Sequence, residues 1–152
     1  MIEFRPAEQT DAAGMAEVQN AIHRAGLRAS PVDIAFVQER YLRPEHRIAC
    51  TVAVQDDRIL GFQSLKQAWP GNPYDVPEGW GIIGTHIHPE AGRRGIGRSL
   101  FAVSLAAAES AGVWHLDASI GADNAPALAY YSAMGFTPYR DGEGVIPHRF
   151  DL

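Results

Sequence analysis

Residues 92–98 read GRRGIGR, three glycines and three arginines set between an apolar run, GIIGTHI, and a helix-forming one, SLFAVSLAAAE. Few local structures suit such a stretch. A strand ends, the backbone turns through conformations that glycine adopts freely, and a helix begins with its first amides facing the turn. The positive end of the helix then meets successive backbone N–H groups, which makes an anion cradle. Arg93, Arg94 and Arg98 add charge-assisted donors around it. On local grounds alone, a plain β-to-α connection is the alternative.

Three kinds of phosphate compete for the cradle. A nucleoside triphosphate loop needs Lys and Ser/Thr directly after its last glycine, whereas Gly97 is followed by Arg98 and Ser99. A dinucleotide fingerprint is closer: Gly95 and Gly97 stand for its first two glycines, and Asp117 lies at a suitable distance downstream. Leu100, however, occupies the third glycine position. Only 35 residues follow Asp117, too few to complete a doubly wound sheet. Coenzyme A is the third possibility.

The remaining sequence limits the partners. A net charge of −5 argues against a nucleic-acid partner, since backbone binding needs a basic face. That charge leans, on its own, toward a cationic small molecule. The single cysteine, Cys50, rules out an internal disulfide and a cysteine-based zinc site, and its setting in RIACTVAV reads as a buried core thiol. No metal site is expected. MIEFRPAEQTD has no signal-peptide core and no run approaches a membrane span, so the expectation is a cytoplasmic protein with no membrane partner.

Periodicity and breakers predict the order β-α-α-β-β-β-α-β-α-β-β in a single domain spanning 1–152. Strand-like runs lie at 2–5, 47–54, 59–65, 79–88 and 113–120, with β character after 136. Helices are predicted from Asp11, from Ser30 (as N-cap, with Pro31 at the first helical position) to about Leu42, from Gly97 to Ala111, and over 125–134. The hairpin-rich first half and the βαβ unit of the second imply an α/β fold of the α+β kind. It has a mixed, largely antiparallel twisted sheet flanked by about four helices. WPGNPYDVPEG (69–79) is the longest irregular stretch, either a loop over a site or a plain connection.

A second constellation lies on the last helix, in NAPALAYYSAMGF. Positions 124, 127, 128 and 131 share one helical face, which sets Tyr131 about two turns below Asn124. By itself Tyr131 reads as readily as core; Tyr130 is read as packing.

HPEAGRRGIGRSLF and NAPALAYYSAMGF together resemble the GNAT superfamily of acyl-CoA-dependent N-acetyltransferases. The first resembles the family's Gln/Arg-x-x-Gly-x-Gly/Ala motif after a strand ending in Val-x-Pro, here Ile87-His88-Pro89. The second matches Asn-x-x-Ala-x-x-x-Tyr-x-x-x-Gly-Phe at Asn124, Ala127, Tyr131, Gly135 and Phe136. The likeness covers roughly 80–137, and the helix start also resembles phosphinothricin-type small-molecule acetyltransferases. One position departs: Gly92 stands where the motif has Gln or Arg.

The resemblance implies a fold of this family and acetyl-CoA as cosubstrate, with the pyrophosphate on the amides of Arg93, Arg94, Gly95, Ile96, Gly97 and Arg98. Asn124 and Tyr131 would also meet it, and the pantetheine arm would pair near Ile87, whose backbone N–H would polarise the thioester carbonyl. Tyr131 matches the family's general acid. The strand before the turn lacks the acid that often serves as base, leaving His86 as the side-chain candidate and a water chain as the other route. The implied activity is acetyl transfer to a primary amine of a small molecule or a peptide, by direct attack in a ternary complex. A non-catalytic acyl-CoA-binding module of the same fold is the alternative. The acceptor site is expected from 22–35, 69–79 and 139–148, with Trp69, Tyr74 and Trp80 as candidate lining. The family is often dimeric, so a homodimer is among its implications.

Overall fold

Arg47–Gln55 and Arg58–Gln67 form the longest hairpin, and the two residues between them explain why it closes. Asp56 and Asp57 both adopt positive φ, 51° and 61°. That is the backbone of the tight turn whose twist matches the flanking strands, and Asp tolerates it better than branched residues. The computed structural model describes residues 1–152. Numbered in chain order, its strands are β1 (Glu3–Pro6), β2 (Arg47–Gln55), β3 (Arg58–Gln67), β4 (Gly81–Ile87), β5 (His115–Gly121), β6 (Thr137–Pro138) and β7 (Val145–Asp151). Its helices are α1 (Ala12–Arg24), α2 (Ile34–Val37, continued by a π turn to Leu42), α3 (Ile96–Ser110) and α4 (Ala125–Met134).

The seven strands make one sheet in the order β1-β2-β3-β4-β5-β7-β6, antiparallel at every step except β4–β5. Those two run parallel because α3 crosses between them. Their pairing is brief, Gly81 with Leu116 and Ile82 with Asp117, after which the strands separate. β5 meanwhile pairs with β7 along its whole length. The sheet is split from Ile83 onward.

Helices cover both faces. α1 and α2 bury Met15, Val18, Val37 and Tyr41 against Cys50, Val52 and Phe62. On the opposite face α3 and α4 bury Phe101 and Tyr131 against Leu65, Leu116 and Ile120, and α3 buries Leu100 with Ala53 and Leu60. Cys50 is the expected core thiol, its pKa pushed up to about 11 by burial. No helix is long and apolar enough to cross a membrane.

One helix start differs from the prediction. α2 begins at Ile34, capped by Asp33, whose carboxylate accepts the Phe36 N–H at 2.7 Å, and not at Ser30-Pro31. The reason lies in α1. Asn20 captures both backbone groups of Val32, donating to its carbonyl at 3.0 Å and accepting its N–H at 2.7 Å. Held by that pair, 30–32 stays outside the helix. Loop 69–79 is likewise tied down from within: Asn72 donates to the carbonyls of Trp69 and Val76 and accepts the N–H groups of Tyr74 and Val76.

Candidate functional site

The glycine turn meets the open end of β4. Gly95 sits at φ 73° with nothing within 4 Å of the place a Cβ would take, and no side chain caps α3. The first hydrogen bond of the helix is Ser99 N–H to the Gly95 carbonyl, so the amides before it have no intrahelical acceptor. Ile96 is anchored in the core while Arg93, Arg94 and Arg98 are exposed around the turn. Arg93 also has positive φ, 63°, and Arg94 reaches the Gln55 side chain at 2.7 Å. Gly97 is needed for another reason: an added Cβ would lie 2.5 Å from the Tyr130 ring and 3.2 Å from Ile87. Gly92 has an ordinary φ of −65°, and its nearest neighbour would be 3.9 Å from a Cβ, so a side chain fits there.

Where the sheet splits, β4 presents a free backbone edge. His88 donates its N–H to Leu60 across on the β3 side. Alternation therefore turns the amides of Thr85 and Ile87 the other way, beyond the last β4–β5 pair and into the gap left by β5. Into the same gap α4 delivers Tyr131, which is buried. Asn124 starts that helix by accepting the Ala127 N–H at 3.2 Å, and Gly135 ends it at φ 104°.

Tyr131 belongs to a directed hydrogen-bond chain. Ser104 donates to the Gln63 amide oxygen at 2.6 Å, which sets the amide's orientation. The Gln63 amide nitrogen donates to the hydroxyls of Thr85 (2.9 Å) and Tyr130 (3.1 Å). The Tyr130 hydroxyl in turn donates to the Gly97 carbonyl at 2.8 Å. Thr85, having accepted from Gln63, is free to donate to Tyr131 at 2.8 Å, and the Tyr131 proton is then free to point into the gap. Burial raises the Tyr131 pKa above the ordinary phenol value, so the hydroxyl stays protonated. Tyr130, read from sequence as packing, instead ties α4 to the glycine turn.

Two adjoining cavities flank the split, about 170 Å³ and about 220 Å³, sharing Arg28, Ile83, Gly84, His86 and Ser119 in their walls. Asn124 and Tyr131 line the smaller, next to the turn's end of the sheet; Arg40, Lys66 and Tyr74 line the larger. His86 lies between, its Nε2 3.3 Å from the Tyr41 hydroxyl, which also accepts from Gln19 at 2.8 Å. Burial first, then the positive charges of Arg28 and Arg40, depress its pKa to about 3. The imidazole is neutral at neutral pH. His88 acts differently, its Nδ1 accepting the Glu90 N–H to cap the turn after β4.

The structure thus brings together Ile87, the turn 93–98, Asn124, Tyr131 and His86 around the split. Of the candidate aromatics, Tyr74 lines the larger cavity, Trp69 stacks on His46 at 4.4 Å, and Trp80 packs with His115 and Tyr139 away from it. Sequence reasoning missed Gln63, Thr85, Arg40 and Lys66. Gln63 carried a signal, a polar residue inside the apolar strand ILGFQSL, and it is fully buried. Arg40 and Lys66 carried none, since a charge at a helix or strand end usually faces water.

A model of the acetyltransferase (GNAT) family matches residues 13–136. No curated protein matches the chain. Among solved structures, a candidate phosphinothricin N-acetyltransferase superposes with TM-score 0.74 at 20% identity, covering 98% of this chain and 96% of its own. YncA of Salmonella typhimurium, a candidate acetyltransferase with its cofactor acetyl-CoA, gives 0.71 at 20% identity over 99% and 94%. The PaiA N-acetyltransferase of Thermoplasma acidophilum, in complex with coenzyme A, gives 0.79 at 16% identity over 100% and 99%.

Proposed function

Because the chain belongs to the acetyltransferase (GNAT) family, we propose that it moves the acetyl group of acetyl-CoA to the primary amine of a small molecule. Both substrates meet in the split between β4 and β5. The observation that carries this reading is the convergence there of three features: a free backbone edge, an uncapped helix start and a buried, hydrogen-bonded phenol. Acetyl-CoA is a substrate of the reaction, and it supplies the thioester carbonyl that the amine attacks.

Each part of the site has its own role in this reading. The amides of 93–98 and the exposed Arg93 and Arg98 hold the pyrophosphate at the positive end of α3. The free edge of β4 holds the pantetheine amides as an added strand would be held. An N–H near Ile87 stabilises the negative charge developing on the thioester oxygen, a contribution of about 3 kcal/mol for one such donor. Tyr131 donates its proton to the departing sulfur, while Thr85 and Gln63 keep that proton pointed at it.

The N–C bond forms as the C–S bond breaks. The surplus proton of the nitrogen leaves to water, and the phenol regains one proton from solvent before the next turnover. Routing the amine proton through water follows from the chemistry of His86: an imidazole whose conjugate acid has a pKa near 3 does not retain an amine's proton. The cations that depress it also disfavour an ammonium beside them, which helps to deliver the acceptor as free amine.

The test is an acetyl-CoA-dependent screen over small amines, with thiol release followed continuously and the acetylated product identified by mass. The expected result is stoichiometric thiol and N-acetyl product for at least one amine class. Tight coenzyme A binding with no product from any amine would instead favour a binding module of the same fold.

A further inference from the structure

Of the ten lysines and arginines outside the glycine turn, six pair with a carboxylate. Outside the glycine turn, those with no carboxylate partner are Arg28, Arg40, Arg47 and Lys66. Arg47 is used structurally, donating to the carbonyls of Ala7 and Leu42. The other three converge on one place, the wall of the larger cavity beside His86. They come from distant parts of the chain: Arg28 between α1 and α2, Arg40 from the turn ending α2, and Lys66 from the end of β3. Nothing in the sequence drives them together except the fold.

Their positions are defined. The Arg28 and Arg40 guanidinium groups both lie over the Phe36 ring, 5.6 and 5.2 Å from its centroid. Arg40 donates to the Tyr74 hydroxyl at 2.6 Å. The Lys66 ammonium lies 5.9 Å from the Tyr41 ring centroid, is half-buried, and has no hydrogen-bond acceptor within the protein. A half-buried ammonium without an acceptor is costly unless a ligand supplies one. The only carboxylate in the wall is Asp117, already engaged by Tyr139, Arg140 and Ser119. The cavity therefore holds an excess of positive charge inside a protein whose net charge is −5. Burial first, and then Arg28 and Arg40, lower the pKa of His86; burial first, and then Arg40, lower that of Lys66.

The geometry points to an acceptor that carries an anionic oxyacid group beside its amine, seated with the anion on Arg28, Arg40 and Lys66 and the amine toward His86 and the split. This rests on the amine-acetyltransferase reading above and narrows it to a substrate class. It also reverses the expectation from net charge, because recognition depends on the local field and not on the total. The larger cavity, about 220 Å³, lies below the roughly 300–1,000 Å³ that drug-sized ligands occupy, which suits an acceptor of amino-acid size. The shared chemistry is an oxyanion, either the carboxylate of an amino acid or the phosphorus oxyacid of an aminophosphonate.

The test compares matched acceptors in the thiol-release assay: small amino acids, their primary amides, and the corresponding aminophosphonates. The anion-bearing member of each pair should show kcat/KM at least about tenfold above its amide, as expected for charge-assisted hydrogen bonds. A higher rate on the carboxylate or on the phosphonate identifies which oxyacid is meant. Arg40→Gln and Lys66→Met should each bring the ratio toward one while coenzyme A affinity stays the same. Arg28→Gln, in the irregular segment between α1 and α2, is a third variant that leaves the core untouched. Amides used as well as the acids, or an unchanged ratio in all three variants, would overturn the proposal. So would a loss of coenzyme A affinity in their place, which would assign the cations to the donor.

Calorimetry on the coenzyme A-saturated protein separates this outcome from failure of the activity. If no amine is acetylated, selective binding of the acids that is lost in the variants upholds the anion site and removes the transferase reading. No selective binding overturns the anion site itself.

Discussion

Replacing Tyr131 by phenylalanine removes one oxygen atom from the gap between β4 and β5 and leaves the ring packing of α4 in place. That oxygen has one protein partner, the Thr85 hydroxyl at 2.8 Å, and Thr85 keeps its bond from Gln63 at 2.9 Å. The structural loss is therefore one buried hydrogen bond, about 1 kcal/mol. In a domain of this size that lowers Tm by about 2–4 °C. The ring still packs on Phe136 and Tyr130, whose centroids lie 5.1 and 5.0 Å away. The glycine turn does not touch the missing oxygen, so coenzyme A affinity should be unchanged.

Turnover is another matter, since general acid catalysis contributes about 100- to 10,000-fold. The assay is kcat by thiol release at saturating acetyl-CoA, alongside coenzyme A affinity by calorimetry and Tm by scanning calorimetry. The expected pattern is a fall in kcat of at least about 100-fold with the other two readouts nearly constant. Thr85→Val, which leaves the phenol but removes the donor that orients it, should fall between this variant and the parent. A Tyr131→Phe enzyme within about threefold of the parent in kcat would refute the acid role, whatever its stability.

Gly97→Ala should lower Tm and weaken coenzyme A binding. Its Cβ would lie 2.5 Å from the Tyr130 ring, and overpacking of about 1–3 kcal/mol outweighs the roughly 1 kcal/mol that alanine gains in a helix; a raised Tm would contradict this. Gly92→Arg should be tolerated and should tighten coenzyme A binding by about two- to tenfold in a direct titration, because the position has ordinary φ and open space. The pH profile of kcat/KM should show no inflection from His86 between pH 5 and 9. Its folded pKa near 3 keeps it neutral throughout, so the rising limb belongs to the acceptor amine and shifts when amines of different pKa are compared. A rising limb that stays near pH 6–7 for every amine, and is lost in His86→Gln, would give the base role back to the histidine.

Much of the fold was legible because it is written in short-range chemistry. The Asp56-Asp57 turn, the Gly112 and Gly135 helix ends (φ 72° and 104°) and the strand, turn and helix at 81–110 each depend on residues close together in the chain. The exception has the same explanation in reverse. Ser30-Pro31 looks like a helix start, and a residue on another helix, Asn20, overrides it by taking both backbone groups of Val32. Local propensity is a weak prior wherever a distant side chain offers better hydrogen bonds.

The candidate site divides along the same line. GRRGIGR and NAPALAYYSAMGF are contiguous, and each places its residues by helix and turn geometry alone, so the glycine turn at the start of α3 and the place of Tyr131 on α4 were legible along the chain. The open edge of β4 could not, because it exists only where β5 leaves it to pair with β7. Gln63 orients Tyr131 only because β3 pairs with β4 in the register that sets Gln63 opposite Thr85. Arg28, Arg40 and Lys66 make a positive pocket in an acidic protein only because three separate segments of the chain meet at the same cavity. Periodicity and turn chemistry act over a few residues, and the sequence by itself determined what depends on them: the elements, their order and the glycine turn that opens α3. Charge and hydrogen-bond direction act through space, so what the pocket attracts and how its phenol points were decided by tertiary structure.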